Sequence, residues 1–314
     1  MPPTQPAAEP RRRLVMVLGM HRSGTSLCAN ILHEMGVDMA DAQGASAANA
    51  RGHWERPRIN DLHDAVLALF GRPWNAPTHH LALPNQWWTD PRIDPIRASI
   101  VTYLETLLAS DKPIGFKDPR TSRLLPMWPS ILDRLNADPL YIFCIRDPAQ
   151  VARSLTARDG LPADQAAYRW LVYNAQAVHG AGPAPVCVIP YEDWFTTPET
   201  TLSRLATFIG ADPHLNLAHL IDTTLRHDAL GTPTPVPAIA TALHRQIAAT
   251  QTHLAPALLT LAETILGCET AMMPFLRDAA LLPLSITEQN RVIADLHALI
   301  ERLREENRRV GVGA

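Results

Sequence analysis

Four short runs of this chain are apolar with little alternation: 14–19 (LVMVLG), 113–116 (PIGF), 139–145 (PLYIFCI) and 185–190 (PVCVIP). Runs of this length, bounded by turn residues, predict strands buried on both faces, as in a parallel sheet. Helix-period patterns fill the intervals, at 24–35, 58–70, 94–110, 123–136, 148–157, 163–179 and 198–209. Strands alternating with helices predict an α/β fold, an open doubly wound sheet with helices on both faces. In such a sheet the ligand lies beyond the carboxyl ends of the strands. Each notable motif in this chain begins where a strand is expected to end.

From about residue 211 the strand signals stop. Residues 239–267 read as helix rich in Ala and Leu, and a last helix is expected over 285–309. There Ile286, Ile293 and Ile300 repeat every seven residues, with Leu296 and Leu303 offset by three. Two readings fit this short seam: a coiled coil joining copies into a homo-oligomer, or an amphipathic helix packed on its own domain. Residues 1–13, rich in Pro and polar side chains, read as a disordered tail. The expected organisation is therefore a tail (1–13), one α/β domain (14–284), and a C-terminal amphipathic helix and tail (285–314).

Composition narrows this picture by exclusion. The 314 residues suit one large domain with a helical extension, and a net charge of −3 gives no global reason to expect nucleic acid as a partner. Cys28, Cys144, Cys187 and Cys268 are widely spaced in apolar contexts, which reads as buried thiols rather than a disulfide framework or zinc site. Arg11–Arg13 before Leu14–Met20 superficially suggest a signal peptide, but His21 and Arg22 stand where a cleavage site belongs. No run reaches the ~20 apolar residues of a membrane span. The expectation is a soluble, cytoplasmic protein.

The chemistry starts at 14–26, LVMVLGMHRSGTS. Gly19 and Gly24 occupy the two glycine positions of a phosphate-binding P-loop, but Thr25 and Ser26 follow where a nucleotide triphosphatase has Lys then Ser or Thr. Backbone N–H groups and a helix N-terminus still suit phosphate there. Arg22 adds a forked cation suited to phosphate or sulfate oxygens. This gives the sheet its P-loop type and points to a nucleotide other than ATP. At 141–155, Arg146 leaves a strand edge, Asp147 and Pro148 start the next helix, and Ser154 follows about two turns on. Arg146 and Ser154 either grip one phosphate together or are a surface ion-pair residue and a tolerated serine. At 114–122, IGFKDPRTS, Lys117 is either a neutraliser of charge on a transferring group or a surface lysine beside a capping aspartate. A Tyr191-Glu192-Asp193 segment follows the last strand.

This set, in this order over about residues 14–230, resembles the sulfotransferases that use 3'-phosphoadenosine-5'-phosphosulfate (PAPS). It looks most like bacterial sulfotransferase-domain proteins, and its K-D-P motif and Arg–Ser spacing are similar to those of protein-tyrosine sulfotransferases. The resemblance implies that Arg22, Ser23, Gly24, Thr25 and Ser26 wrap the 5'-phosphosulfate. It implies that Arg146 and Ser154 hold the 3'-phosphate, and that Lys117 stabilises the bridging oxygen or the sulfuryl group. Tyr191 would lie near the cofactor, and Arg226 would close over the nucleotide. No metal is required, since PAPS carries its group already activated. The chain lacks the late G-x-x-G-x-x-K loop of cytosolic sulfotransferases, which argues against a phenol or steroid acceptor by analogy.

An acceptor hydroxyl needs a base. The candidates are Glu55, by its similarity in place to the glutamate of tyrosine-specific relatives, then His53, then His63, whose spacing on an amphipathic helix favours a structural role. Glu55 also reads as a structural partner of Arg51 or Arg56. Trp74, Trp87 and Trp88 lie in a Pro-rich stretch, either packed under a long loop or stacking on a sugar or aromatic acceptor; His79 and His80 read as solvent-facing. The acceptor implied is a hydroxyl on a glycan, peptide tyrosine or small metabolite. Two other classes remain open: a P-loop kinase or NTPase, and a non-catalytic nucleotide-binding protein.

Overall fold

The computed structural model describes residues 11–40, 54–76, 79–110, 112–222 and 234–279, with side chains through Thr270. Four parallel strands, β1 (Arg12–Leu18), β2 (Ile114–Lys117), β3 (Ala137–Ile145) and β4 (Val186–Pro190), lie in the order β2-β1-β3-β4. This is an α/β fold of P-loop type. β1 pairs with β3 from Arg12↔Ala137 to Leu18↔Phe143. Both strands start two residues before their expected bounds of 14 and 139, so the tail does not run to residue 13. Charged side chains at Arg12, Arg13 and Asp138 hide the start, while Arg11 donates to Asp138 at 2.7 Å.

The missing alternation has a physical cause. Leu14, Met16 and Leu18 point into one core with Phe116, Phe143 and Val188, whereas Val15 and Val17 point into another with Ile142, Cys144 and Ile189. Every β1 side chain from Leu14 to Leu18 is buried. Each one fully buried contributes roughly 1.5–3 kcal/mol. The second core is covered by α1 (Thr25–Glu34), α8 (Asp193–Thr196) and α9 (Pro198–Ile209). The first is covered by α2 (Pro57–Leu69), α3 (Asp94–Leu108), α4 (Thr121–Leu124), α5 (Trp128–Arg134), α6 (Pro148–Asp159) and α7 (Ala163–Ala181), then α10 (Ala238–Ala248) and α11 (Pro256–Ala279).

Two expected helices are broken. The 123–136 pattern becomes α4, a 3-10 turn at Leu125–Met127 and α5, with Pro126 and Pro129 at the starts of the new pieces. The 239–267 pattern splits into α10 and α11 around residues 249–255, with Pro256 opening α11. The heptad-patterned segment 285–309 lies outside the described residues. Cys28, Cys144 and Cys187 are buried as expected, but Cys268 is exposed. No described helix is long and apolar enough to cross a membrane.

Candidate active site

From β1 the chain runs to the edge at β2, and from β3 to the opposite edge at β4. The connections therefore diverge between β1 and β3, which opens a crevice at their carboxyl ends. The loop 19–24 enters it from β1. Gly19, at φ 123°, lies so close to β3 that a Cβ would sit 2.3 Å from the Cys144 carbonyl oxygen. Gly24, at φ 83°, faces the Tyr191 ring, 2.8 Å from such a Cβ. Both positions need glycine for backbone and for space. Arg22 also has positive φ, at 72°, a conformation that costs a non-glycine residue free energy and recurs in ligand clamps. No side chain caps α1 at Gly24, so its first-turn N–H groups point toward the loop. Ser122 Oγ accepts from the Gly19 N–H at 3.0 Å.

Arg146 leaves β3 on the other wall. Its Nη1 donates to the Arg22 carbonyl at 3.3 Å, its Nε donates to Gln150 Oε1 at 2.9 Å, and its guanidinium stacks 4.0 Å over the Tyr191 ring. Gln150 in turn donates to Glu192 at 2.9 Å. Asp147 caps α6 by accepting from the Ala149 and Gln150 N–H groups. That helix carries Ser154, whose Oγ accepts from Arg22 Nε at 2.7 Å. Burial first, then the Arg158 and Arg146 guanidiniums, push the Arg22 pKa down. Crowded cations at partial burial raise one another's energy until an anion joins them. His21 is likewise held well below its ordinary pKa, by burial first and then by Arg158.

A second centre lies at the end of β2. Lys117, 3% exposed, donates from Nζ to Glu55 Oε1 at 2.5 Å; Glu55 is 21% exposed. Asn60 Nδ2 donates to Glu55 Oε2 at 2.5 Å. Two further ties join the same segments. Arg56 Nε donates to the Gly115 carbonyl at 2.9 Å and its Nη2 to the Asp38 carbonyl at 2.6 Å. His63 Nδ1 and Asp118 Oδ2 are 2.7 Å apart, both fully buried. Asp118 Oδ1 accepts from the Arg120 N–H and Nη1 at 3.0 and 2.9 Å. Burial pulls the Asp118 pKa up, but the His63 hydrogen bond and charge and the Arg120 contacts outweigh it, leaving the carboxyl below its ordinary value.

Residues 15–214 match the sequence profile described as "Sulfotransferase family". The chain belongs to the sulfotransferase family. Solved structures similar to it include the sulfotransferase domain from the Synechococcus PCC 7002 olefin synthase, 19% identical, covering 82% of this chain and 96% of that one, with a TM-score of 0.39. The sulfotransferase domain from the curacin biosynthetic pathway is 15% identical, covers 76% of this chain and 99% of that one, and has a TM-score of 0.44. A Mycobacterium avium sulfotransferase is 14% identical, covers 71% and 70%, and has a TM-score of 0.39. No curated protein sequence matches.

In this sulfotransferase the structure brings Arg22, Ser154, Arg146 and Tyr191 into one crevice, and Glu55 onto Lys117. Glu55 does not pair with Arg56, whose fork is turned to Asp38 and Gly115. His63 is enclosed between Phe116 and Trp128, so as a base it has no access to a substrate. His53, Arg51 and Arg226 lie outside the described residues. His79 and His80 are buried rather than solvent-facing. Arg123, also buried, donates to the His79 and Leu81 carbonyls and pulls that loop inward. Trp74 packs against His21 and His79, with Arg120 stacked 4.3 Å over it. Sequence reasoning missed Gln150, Asn60 and Ser122. None of the three carried a signal of its own: Gln150 lies in the first turn of α6, while Arg146 precedes the helix.

Proposed function

We propose that this sulfotransferase moves a sulfuryl group from PAPS to a hydroxyl by in-line displacement. The observation that carries this reading is the meeting of Arg22, Arg146 and Ser154 at the loop between β1 and β3, a cation cluster at a helix start. The loop, Arg22 through Ser26, would take the phosphosulfate; Arg146 and Ser154 would take the 3'-phosphate, with Tyr191 beneath Arg146. Backbone N–H groups and forked guanidiniums suit such oxygens, and positioning with charge stabilisation supplies most of the catalysis in this class of reaction.

The acceptor oxygen bonds to sulfur as the bond from sulfur to the phosphate oxygen breaks. Glu55 takes the acceptor's proton, and adenosine 3',5'-bisphosphate departs. Lys117 stands beside Glu55 and would balance charge on the bridging oxygen as that bond opens. Asn60 holds the second Glu55 oxygen and so orients the first. The acceptor is a hydroxyl of a glycan, peptide tyrosine or small metabolite, and the chemistry needs no metal.

The test is transfer of label from [35S]PAPS to a panel of saccharide, tyrosyl-peptide and small hydroxyl acceptors. Wild type should label at least one class, and K117A and R22A should lose roughly 100-fold or more in rate. Undiminished transfer in either variant would overturn the assignment. Magnesium-dependent ATP turnover would favour a kinase instead.

A further inference from the structure

Arg146 is 3% exposed, and what surrounds its guanidinium decides where the group can point. The Tyr191 ring lies beneath it at 4.0 Å. Along its edge, Nη1 donates to the Arg22 carbonyl at 3.3 Å and Nε donates to Gln150 Oε1 at 2.9 Å. The ring limits movement on one side, and the edge contacts set the rotation. Of those edge contacts, the one to Arg22 is made by main chain and the one to Gln150 by a side chain.

Helix capping alone would use this glutamine differently. Asp147-Pro148-Ala149-Gln150 has the form of a capping box, in which the glutamine side chain turns back to the N–H of the capping residue. Only half of that box forms. Asp147 Oδ1 accepts from the Gln150 N–H at 3.1 Å. The Gln150 side chain is turned instead to Arg146 and, through Nε2, to Glu192 Oε1 at 2.9 Å. An arginine Nε can only donate and a carboxylate accepts, so one amide serves both in a single orientation. One turn on, Ser154 accepts from Arg22 at 2.7 Å, so α6 steers both arginines of the crevice.

The residue type matters at this position. A glutamate would neutralise Arg146 and set a second carboxylate against Glu192. An alanine or methionine would release the Nε edge and let the guanidinium turn. We propose that Gln150, braced by Glu192, is a positioning residue that aims Arg146 at the 3'-phosphate and so sets the preference for a 3'-phosphorylated nucleotide. It acts through Arg146. A guanidinium already aimed before the ligand arrives loses less freedom on binding, an advantage of about tenfold in affinity. This inference rests on the sulfuryl-transfer reading, which gives Arg146 the 3'-phosphate.

The test compares two nucleotides that differ only in the 3'-phosphate, adenosine 3',5'-bisphosphate and adenosine 5'-monophosphate, by calorimetry on the full chain. Wild type should prefer the bisphosphate roughly 100-fold, and R146A should lose most of that preference. Q150A and Q150M should each shrink the preference about tenfold by weakening the bisphosphate alone, with the monophosphate affinity unchanged. Q150M keeps the length of the side chain and its helix propensity, so its Tm should stay within a degree or two of wild type. Q150E should shrink the preference at least as far. A wild-type preference in any of the three Gln150 variants overturns the proposal. Equal weakening of both nucleotides, which a purely structural residue would give, also overturns it. A wild type that binds both nucleotides equally would refute the donor reading itself, and the role of Gln150 with it.

Discussion

The donor crevice and the Glu55–Lys117 centre are built by different means. The crevice is framed by main chain that sets its side chains in place: Gly19 presses on the Cys144 carbonyl, the first turn of α1 opens toward it, and Arg146 leaves a strand held in register with β1. The Glu55–Lys117 centre is made of side chains reaching from the α2 segment to the edge strand β2. Arg56 ties the start of the segment to Gly115, His63 ties its middle to Asp118, and Glu55 meets Lys117 between them. The first is framed by sheet hydrogen bonds, which a change of side chain other than to proline leaves in place. The second depends on individual residues, so it is where a single change separates binding from turnover.

The largest expected effect is on the main-chain side. G19A puts a methyl group 2.3 Å from the Cys144 carbonyl oxygen at φ 123°, and should cost about 3 kcal/mol or more, read as a lowered Tm with loss of nucleotide binding. A normal Tm would show that the loop stands off β3.

On the side-chain face, H63L leaves the buried Asp118 without its His63 partner and should cost about 3 kcal/mol. H63N returns a donor near the Nδ1 position and should recover most of it. The pH dependence follows in sign. Asp118 is depressed in the folded state, so its stabilisation is complete above the unfolded carboxyl value near ~4 and is lost as pH falls through the lower folded value. Acid-unfolding curves should therefore show H63L unfolding at higher pH than wild type. Coincident acid midpoints would remove His63 from the bracket.

E55Q comes next, with turnover down roughly 100-fold and the bisphosphate affinity unchanged by calorimetry. If affinity falls as well, the two centres are not separable. S154A is the smallest: it removes the hydroxyl that accepts from Arg22 and should weaken bisphosphate binding about tenfold, leaving Tm within a degree or two. A larger stability loss would make Ser154 a structural residue.

The same contrast explains what could be read from the sequence. Buried strands announce themselves as apolar runs, and the glycine loop, Arg146, Asp147 and Pro148 sit at fixed offsets from strand ends. Their neighbourhood follows from adjacency in a sheet. The Glu55–Lys117 contact spans 62 residues, and no periodicity connects a helix approach to an edge strand. The spacing of His63 on its helix favours a structural role, but its partner Asp118, 55 residues away, cannot be read from that spacing. His79 and His80 looked exposed because the groups around them, the Trp74 and Tyr168 rings and the Arg123 guanidinium that holds the His79 and Leu81 carbonyls, come from other parts of the chain. Helix breaks at Pro126, Pro129 and Pro256 were written in the prolines, but the apolar helical pattern on either side outweighed them.

The central claim is that the crevice between β1 and β3 holds a 3'-phosphorylated adenine nucleotide. The most direct test is calorimetric titration of the full chain with adenosine 3',5'-bisphosphate, with ATP as comparator, in metal-free buffer. Micromolar binding of the bisphosphate, weakened in R146A, with ATP much weaker, is the expected result. No bisphosphate binding, or tighter magnesium-dependent ATP binding, would contradict it.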